Sequence, residues 1–446
     1  MWVEEITLDN IKCFEKMSIR FGTKEKPYKW ISLLGENGGG KSTILQALSL
    51  MLAGYEGATK LLNSPKGWVR NEKELGKITI RIHQDENDIG QFGKDKKRNE
   101  FGYTFFITGG QQISIRNKVY SEPSIIEDKS NKNLSWLRVN ALTSKGKSWF
   151  ASGYGAFRRL TRRSEIIVPS LQTPERYTNF LSQFNEDEPL ATFERWMVYL
   201  DYRMAKNKDK TAERQKSLGI EAINQLLPEG NSFDSVTSDG RILFDVKGKK
   251  VPTIGLSDGF RSVLALAGDL VWRLLEAFPE SKNPLKEFGV VLIDELDIHL
   301  HPTWQREIAG WLQMQFPNLQ FIVATHSPII VAGAGVDSIT YKFDFDGNRS
   351  VKNEIKDLSF LSIEKILMSD AFKLISPYSD QTQQELDKYF KLKGKKNINP
   401  KEKQELKQAS LFMEKSQTIL EDDSLDYKVQ EFLKNHFDND KDNKSK

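Results

Sequence analysis

The segment Gly35-Glu36-Asn37-Gly38-Gly39-Gly40-Lys41-Ser42-Thr43 holds residues whose types and spacing suit one task, the grip of a chain of phosphates. Glycines let the backbone curl around the anion without Cβ clashes, and the amides at the start of a following helix supply partial positive charge. Lys41 is then placed to reach the β- and γ-phosphates of a nucleoside triphosphate, and Ser42 to ligate Mg2+, as in a P-loop. A second element, Val290-Val291-Leu292-Ile293-Asp294-Glu295, is an apolar run that ends in two carboxylates. At the C-terminal end of a buried strand, Asp294 suits a water-mediated hold on Mg2+. Glu295 suits proton abstraction from an attacking water, or its orientation. Two adjacent acids there point to hydrolysis rather than nucleotide storage.

Two further elements carry weaker signals when taken alone. Gly255-Leu256-Ser257-Asp258-Gly259-Phe260-Arg261-Ser262 heads an apolar helix from Val263 to Phe278. By itself it reads as an ordinary N-cap turn, although its hydroxyl and amides also suit a γ-phosphate. Ala324-Thr325-His326-Ser327-Pro328 ends an apolar strand, and a lone strand-end His326 taken by itself reads as structural. His299 and His301 lack a third nearby ligand, so their spacing is read as packing and not as a metal site.

These residues need elements to position them. Strands are expected at Val3–Leu8, around Met17–Phe21 and at Trp30–Leu34, the last feeding the glycine loop. After the loop, Ile44, Leu45, Leu48, Leu50, Met51 and Leu52 recur at helical spacing. Lys77–His83 alternates as a strand, and Phe101–Ile107 with Gln112–Arg116 reads as a hairpin about Gly109-Gly110. Phe193, Trp196, Met197 and Leu200 mark a helical face. From 251 to 345 helices and strands alternate, as a parallel sheet requires. The expected division is 1–60 and 251–345 as two parts of one α/β head, 61–250 as an insertion with a small β-layer and helices, and 346–446 as a helical C-terminal region with a polar tail.

Composition narrows the classes. The chain has 446 residues, enough for two or three domains, with 38% hydrophobic and 28% charged residues, which excludes wholesale disorder. Lys and Arg number 65 against 61 acidic residues, so the net charge of +4 gives no bulk argument for nucleic acid. The single cysteine, Cys13, excludes a disulfide framework and fits a reducing cytoplasm. No signal-peptide pattern opens the sequence, and Asp269 and Arg273 interrupt its best apolar run, so no membrane span is expected.

In their order and types these motifs resemble the ABC-type P-loop NTPase heads of the RecF, Rad50 and SMC group. Asp294-Glu295-x-Asp297 continuing to Leu300-His301-Pro302 is more similar to the bacterial OLD and Septu type ATPases than to transporter ATPases. The resemblance implies ATP and Mg2+ as cofactors, with Gly35, Asn37, Gly38, Gly39, Gly40, Lys41, Ser42 and Thr43 on the nucleotide and Ser42 and Asp294 on the metal. Glu295 and His326 would be the catalytic pair. Leu256, Ser257, Asp258 and Gly259 would form a variant signature that meets the ATP of a second copy, in a head-to-tail homodimer. Gln183 and Gln172 are both candidates for the family's Q-loop glutamine.

The implied role is a regulatory ATPase subunit of an antiviral defence system acting on a separately encoded nuclease. A RecF-like repair factor that clamps DNA is the alternative, and a transporter ATPase is disfavoured. OLD-type proteins carry a C-terminal Toprim nuclease; Asp344-Phe345-Asp346 has the spacing of its acidic pair but sits in an expected Asp346-Gly347 hairpin, so nuclease activity is not expected in this chain. DNA contact, if made, would fall on Arg158-Arg159, Arg162-Arg163 or the lysines from Lys391 to Lys396.

Overall fold

The structure is a computed structural model that describes residues 1–90, 100–115, 118–128, 130–143, 148–156, 175–185, 192–227, 230–237, 240–345, 350–356, 358–376, 378–395 and 398–417. Two compact units divide the chain, Met1–Phe372 and Lys373–Lys446. The first unit begins with β1 (Trp2–Ile11), β2 (Phe14–Arg20), β3 (Trp30–Gly35) and α1 (Lys41–Leu61). β4 (Gly76–His83), β5 (Glu100–Ile107), β6 (Ile113–Ile115), β7 (Lys118–Tyr120), β8 (Ile125–Glu127), α2 (Lys132–Asn140) and β9 (Phe150–Tyr154) follow. Then come α3 (Thr192–Asn207), α4 (Lys210–Leu226), β10 (Asn231–Val236), β11 (Ile242–Val246), β12 (Lys249–Pro252) and α5 (Asp258–Ala277). β13 (Gly289–Ile293), α6 (Pro302–Gln315), β14 (Leu319–Ala324), α7 (Pro328–Gly333), β15 (Ser338–Phe345), β16 (Ser350–Ile355) and α8 (Ile363–Met368) complete it. The second unit holds α9 (Asp380–Lys393) and α10 (Pro400–Gln417), which pack on each other.

Two sheets enclose α1. One has strand order β16-β15-β3-β14-β13-β9 and is parallel except for the β15/β16 pair. The other is antiparallel, in the order β2-β1-β4-β5-β8. The unbroken apolar run of β13 follows from burial on both faces, since successive side chains point to opposite sides. Val290 and Leu292 join the core that contains α1 and the antiparallel sheet. Val291 and Ile293 join a second core with α5, α3 and α6. β14 divides alike, with Ile322 and Ala324 on the first side and Phe321 and Val323 on the second.

The expected helix face of Phe193, Trp196, Met197 and Leu200 is buried in that second core, on α3. α1 is not continuous: it breaks at Gly54, with φ 76° and ψ 172°, where an added Cβ would lie 2.9 Å from Leu142 Cβ. Asp269 and Arg273, the charges that interrupt the apolar run of α5, pair with each other at 2.5 Å, and Tyr154 Oη donates to Asp269 Oδ2 at 3.0 Å. Gln320 on β14 ties the two sheets. Its Oε1 accepts from Val3 N at 2.8 Å while its Nε2 donates to Val3 O at 3.0 Å and Phe21 O at 2.7 Å.

Three expectations on organisation differ from this arrangement. Residues 61–250 do not stand apart as an insertion: β4, β5 and β8 pair into the sheet begun by β1, and β9 lies beside β13. Within that span β10, β11 and β12 form a small sheet of their own, while α3 and α4 share the core of α5 and α6. The hairpin expected between Phe101–Ile107 and Gln112–Arg116 is not formed, because both edges of β5 are taken, by β4 and β8. Instead, Ile113–Ile115 pairs with Lys118–Tyr120. The chain beyond 345 is not helical throughout, since β16 pairs antiparallel with β15, and the second unit begins at Lys373. Among the described residues no helix is long and apolar enough to cross a membrane.

Candidate functional site

β3 lies between β14 and β15, so the loop after Gly35 emerges at the C-terminal edge of the parallel strands. Glu36, Asn37 and Gly38 are exposed and Gly39 is buried. Gly40 caps α1 in the left-handed region, with φ 93° and ψ 10°. An alanine there would place its Cβ 2.6 Å from Cys13 Sγ and closer still to the Phe14 ring, so the position needs glycine twice over. No side chain caps α1 and its first turn holds no acidic residue, which leaves its amides available to an anion. Ser42 is exposed in that turn, and Thr43 is buried.

Lys41 folds back over the loop, its Nζ donating to Gly35 O at 2.7 Å and to Glu36 O at 3.1 Å. Burial lowers its pKa below the ordinary lysine value, and the carboxylates of Asp294, Glu295 and Asp297 oppose that fall. The P-loop lysine and the acidic strand end thus share one electrostatic field. The loop is also braced from outside: Ser350 Oγ donates to Gly39 O at 3.0 Å, and Ser350 N donates to Cys13 O at 3.1 Å.

The carboxylates arrive from two strands away. β13 is in register with β14, which is in register with β3, so Ile293, Val323 and Ser32 lie across one line of the sheet. Asp294 N donates to Tyr154 O at 2.8 Å, fixing the first acid at the strand end. Glu295 follows with φ 45°, and Leu296 N donates to Ala324 O at 3.2 Å. Asp297 Oδ1 accepts from Thr325 Oγ1 at 2.6 Å and from His326 N at 3.2 Å, while the His326 side chain is exposed. Lys41, Asp294, Glu295 and His326 are therefore gathered on one edge.

The donor set of Ser42 and the neighbouring carboxylates is all oxygen, which fits a hard cation such as Mg2+. His301 accepts from Thr303 N at 3.4 Å as the N-cap of α6. Glu4, His83 and Glu100 also converge with metal-like spacing. Arg81 reaches Glu4 Oε1 and Glu100 Oε1 at 3.2 Å each, so a guanidinium already supplies their counter-charge.

Ser257 is the N-cap of α5, accepting from Phe260 N at 3.4 Å; Leu256 is buried, Ser257 and Asp258 are exposed. Gly259 packs against the segment that follows Glu295: a Cβ on it would lie 2.5 Å from His299 O. Gln183 is held on α1, its Oε1 accepting from Ser49 Oγ and its carbonyl accepting from Gln46 Nε2 at 2.9 Å, with its side chain over Gly153 of β9. Gln172, Arg158, Arg159, Arg162, Arg163, Asp346 and Lys396 lie outside the described residues. Asp344 is the penultimate residue of β15, its Oδ1 3.4 Å from Lys342 Nζ. Sequence reasoning missed the turn Lys12-Cys13-Phe14 against Gly40, and it missed Gln305. No local pattern marks the first, because that contact joins the opening hairpin to the loop only in the folded chain.

The architecture is the P-loop ATPase fold of SMC heads. It matches the crystal structure of the SmcHead bound to the C-winged helix domain of ScpA with a TM-score of 0.50 at 16% identity, over 81% of this chain and 100% of that one. Residues 31–332 match the family described as AAA domain, putative AbiEii toxin, Type IV TA system, and the chain belongs to that family. It is similar to the Septu protein PtuA of Bacillus mycoides, at 26% identity over 91% of this chain and 49% of that protein, so it spans about half the length of that relative. It is also similar to the Retron Vc95 probable ATPase of Vibrio cholerae, at 26% identity over 74% of this chain and 71% of that protein. A third relative, the Retron Ec83 probable ATPase of Escherichia coli, is 25% identical over 73% of this chain and 68% of that protein.

Proposed function

We propose that the chain binds and hydrolyses ATP, closes against a second copy of itself around the nucleotide, and acts as the regulatory subunit of a prokaryotic antiviral defence system with a separately encoded nuclease. The observation that carries the ATPase reading is the seating of Lys41 on the loop carbonyls, within the field of Asp294, Glu295 and Asp297. In this reading, triphosphate draws the Lys41 ammonium from Gly35 O and Glu36 O onto the β- and γ-phosphates. The loop and α1 amides hold the phosphate oxygens. Ser42 and Asp294 are the residues that would hold Mg2+, which when bound neutralises phosphate charge. Glu295 orients the attacking water and takes its proton, and His326 faces the γ-phosphate.

Ser257 and the amides of α5 are the contribution to the partner copy's nucleotide. They sit in a different part of the chain from Lys41, and a two-fold, head-to-tail pairing is the arrangement that serves both copies alike. The similarity to Septu and retron proteins supports the defence role. The Glu295→Gln protein should bind ATP, release less than about 1% of the wild-type phosphate, and double its mass with ATP in sedimentation. Normal phosphate release would remove Glu295 from its role; a monomer at saturating ATP would remove the dimer. Copurification of the native operon products tests the nuclease partner, and protection of cells by this chain alone would count against it.

A further inference from the structure

We propose that Gln305 is a positioning residue that locks together two turns of the catalytic edge, residues 295–301 after β13 and residues 325–327 after β14. The consequence for turnover rests on the ATPase reading above; the lock itself does not. Gln305 lies in the first turns of α6 and spends its amide in both directions. Its Nε2 donates to Leu300 O at 3.0 Å and to Asp297 O at 3.3 Å, and its Oε1 accepts from Ser327 Oγ at 2.6 Å. Two donors and an acceptor on a side chain of that reach are what glutamine offers. Glutamate would turn an oxygen toward two carbonyls, and lysine has no acceptor.

The 295–301 turn needs such a hold. Glu295 and His299 are both non-glycine residues in the left-handed region, with φ of 45° and 66°. Such conformations persist where the surroundings over-determine them. The same turn carries Glu295 at its start and packs the His299 carbonyl closely against Gly259 near its end, with Asp297 Oδ1 accepting from His326 N between. A displacement of any of these is passed to the others, so the water-orienting acid, the phosphate-facing histidine and the N-terminus of α5 move as one body. Gln305 touches none of the reacting atoms and acts through Glu295 and His326.

The test uses the full chain with Gln305→Glu and Gln305→Leu. At pH 8 both variants should lose about 10-fold or more in kcat while the ATP Kd stays within about 2-fold, since the lost hold affects the transition state and not the loop. Lowering the pH toward 5.5 protonates the introduced carboxyl, which two facing carbonyls hold above the usual carboxylate range, and restores one donor. The activity of Gln305→Glu relative to wild type should then rise at least about 3-fold, with Gln305→Leu staying flat. A kcat within about 2-fold of wild type, a Kd that rises in step with the loss, or two flat pH profiles would each overturn the proposal.

Amide exchange of nucleotide-free protein provides a measurement independent of catalysis. In Gln305→Leu the amides of 296–300 and of 326–327 should exchange faster together, and an unchanged rate in either segment overturns the lock. Should wild type show no Glu295-dependent turnover, the ATPase reading falls while exchange still decides the case of Gln305.

Discussion

Replacing Gly259 with alanine sets two opposing effects against each other. Gly259 is the second residue of α5, where alanine is favoured over glycine by about 0.5–1 kcal/mol. Against this, the new Cβ would lie 2.5 Å from the His299 carbonyl oxygen. An ordinary carbon–oxygen contact is about 3.3 Å, so the oxygen must retreat by roughly 0.8 Å. His299 has little slack to give, because its φ of 66° already sits in a narrow well. Strain of this kind costs about 1–3 kcal/mol, and with the propensity gain set against it the net destabilisation is about 0–2.5 kcal/mol.

Gly310 provides the control. It is exposed in α6, and a methyl added there would meet nothing within 4 Å, so Gly310→Ala should stabilise by about 0.5–1 kcal/mol from propensity alone. Urea unfolding of the two variants, read at unchanged slope, measures the difference, and phosphate release should fall in Gly259→Ala only. If Gly259→Ala were as stabilising as Gly310→Ala and equally active, the close approach of α5 to the 295–301 turn would play no part in the molecule.

Two further outcomes follow from the charges. Lys41→Met removes an ammonium whose pKa burial has already lowered, so the nucleotide-free protein should be as stable as wild type or more so. Thermal shift should then show the loss of ATP stabilisation, which for wild type is about 2.7 kcal/mol at 100 times Kd. Glu4 has its pKa pushed up by burial, but the His83 hydrogen bond and the Arg81 charge outweigh this and leave it lowered. Its stabilisation is present above the ordinary carboxylate value and lost as pH falls through the lowered one. Glu4→Gln should therefore cost about 2 kcal/mol at pH 7 and converge on wild type in acid, as denaturation at the two pH values will show.

The parts of this fold legible in the sequence are those encoded by neighbours along the chain. The glycine loop could be read because strand, loop and helix are contiguous, and β13 because an apolar run on two buried faces needs no partner to be recognised. Pairing was less legible. Phe101, Phe105 and Ile107 announce a strand, but nothing in their alternation says that its neighbours are Ile78–Ile82 and Ile125–Glu127. A nearby glycine pair offered a cheaper local partner on paper, yet long-range partners take both edges. For the same reason Lys12-Cys13-Phe14 and Gln305 escaped notice. Cys13 and Phe14 lie against Gly40, and Gln305 joins the Leu300 and Asp297 carbonyls to Ser327 Oγ, contacts that leave no periodic trace along the chain.

The break at Gly54 divides the labour of α1. A helix's end charge is set by its terminal turns and not by its length, so residues 41–53 present the same electropositive end to the loop whatever follows. At the break Gly54 lies close to Leu142, and beyond it Tyr55 meets Phe105 of the antiparallel layer. Insertion or loss of a turn downstream is thereby insulated from the nucleotide end, and one residue lets a single helix serve two neighbours without compromise between them.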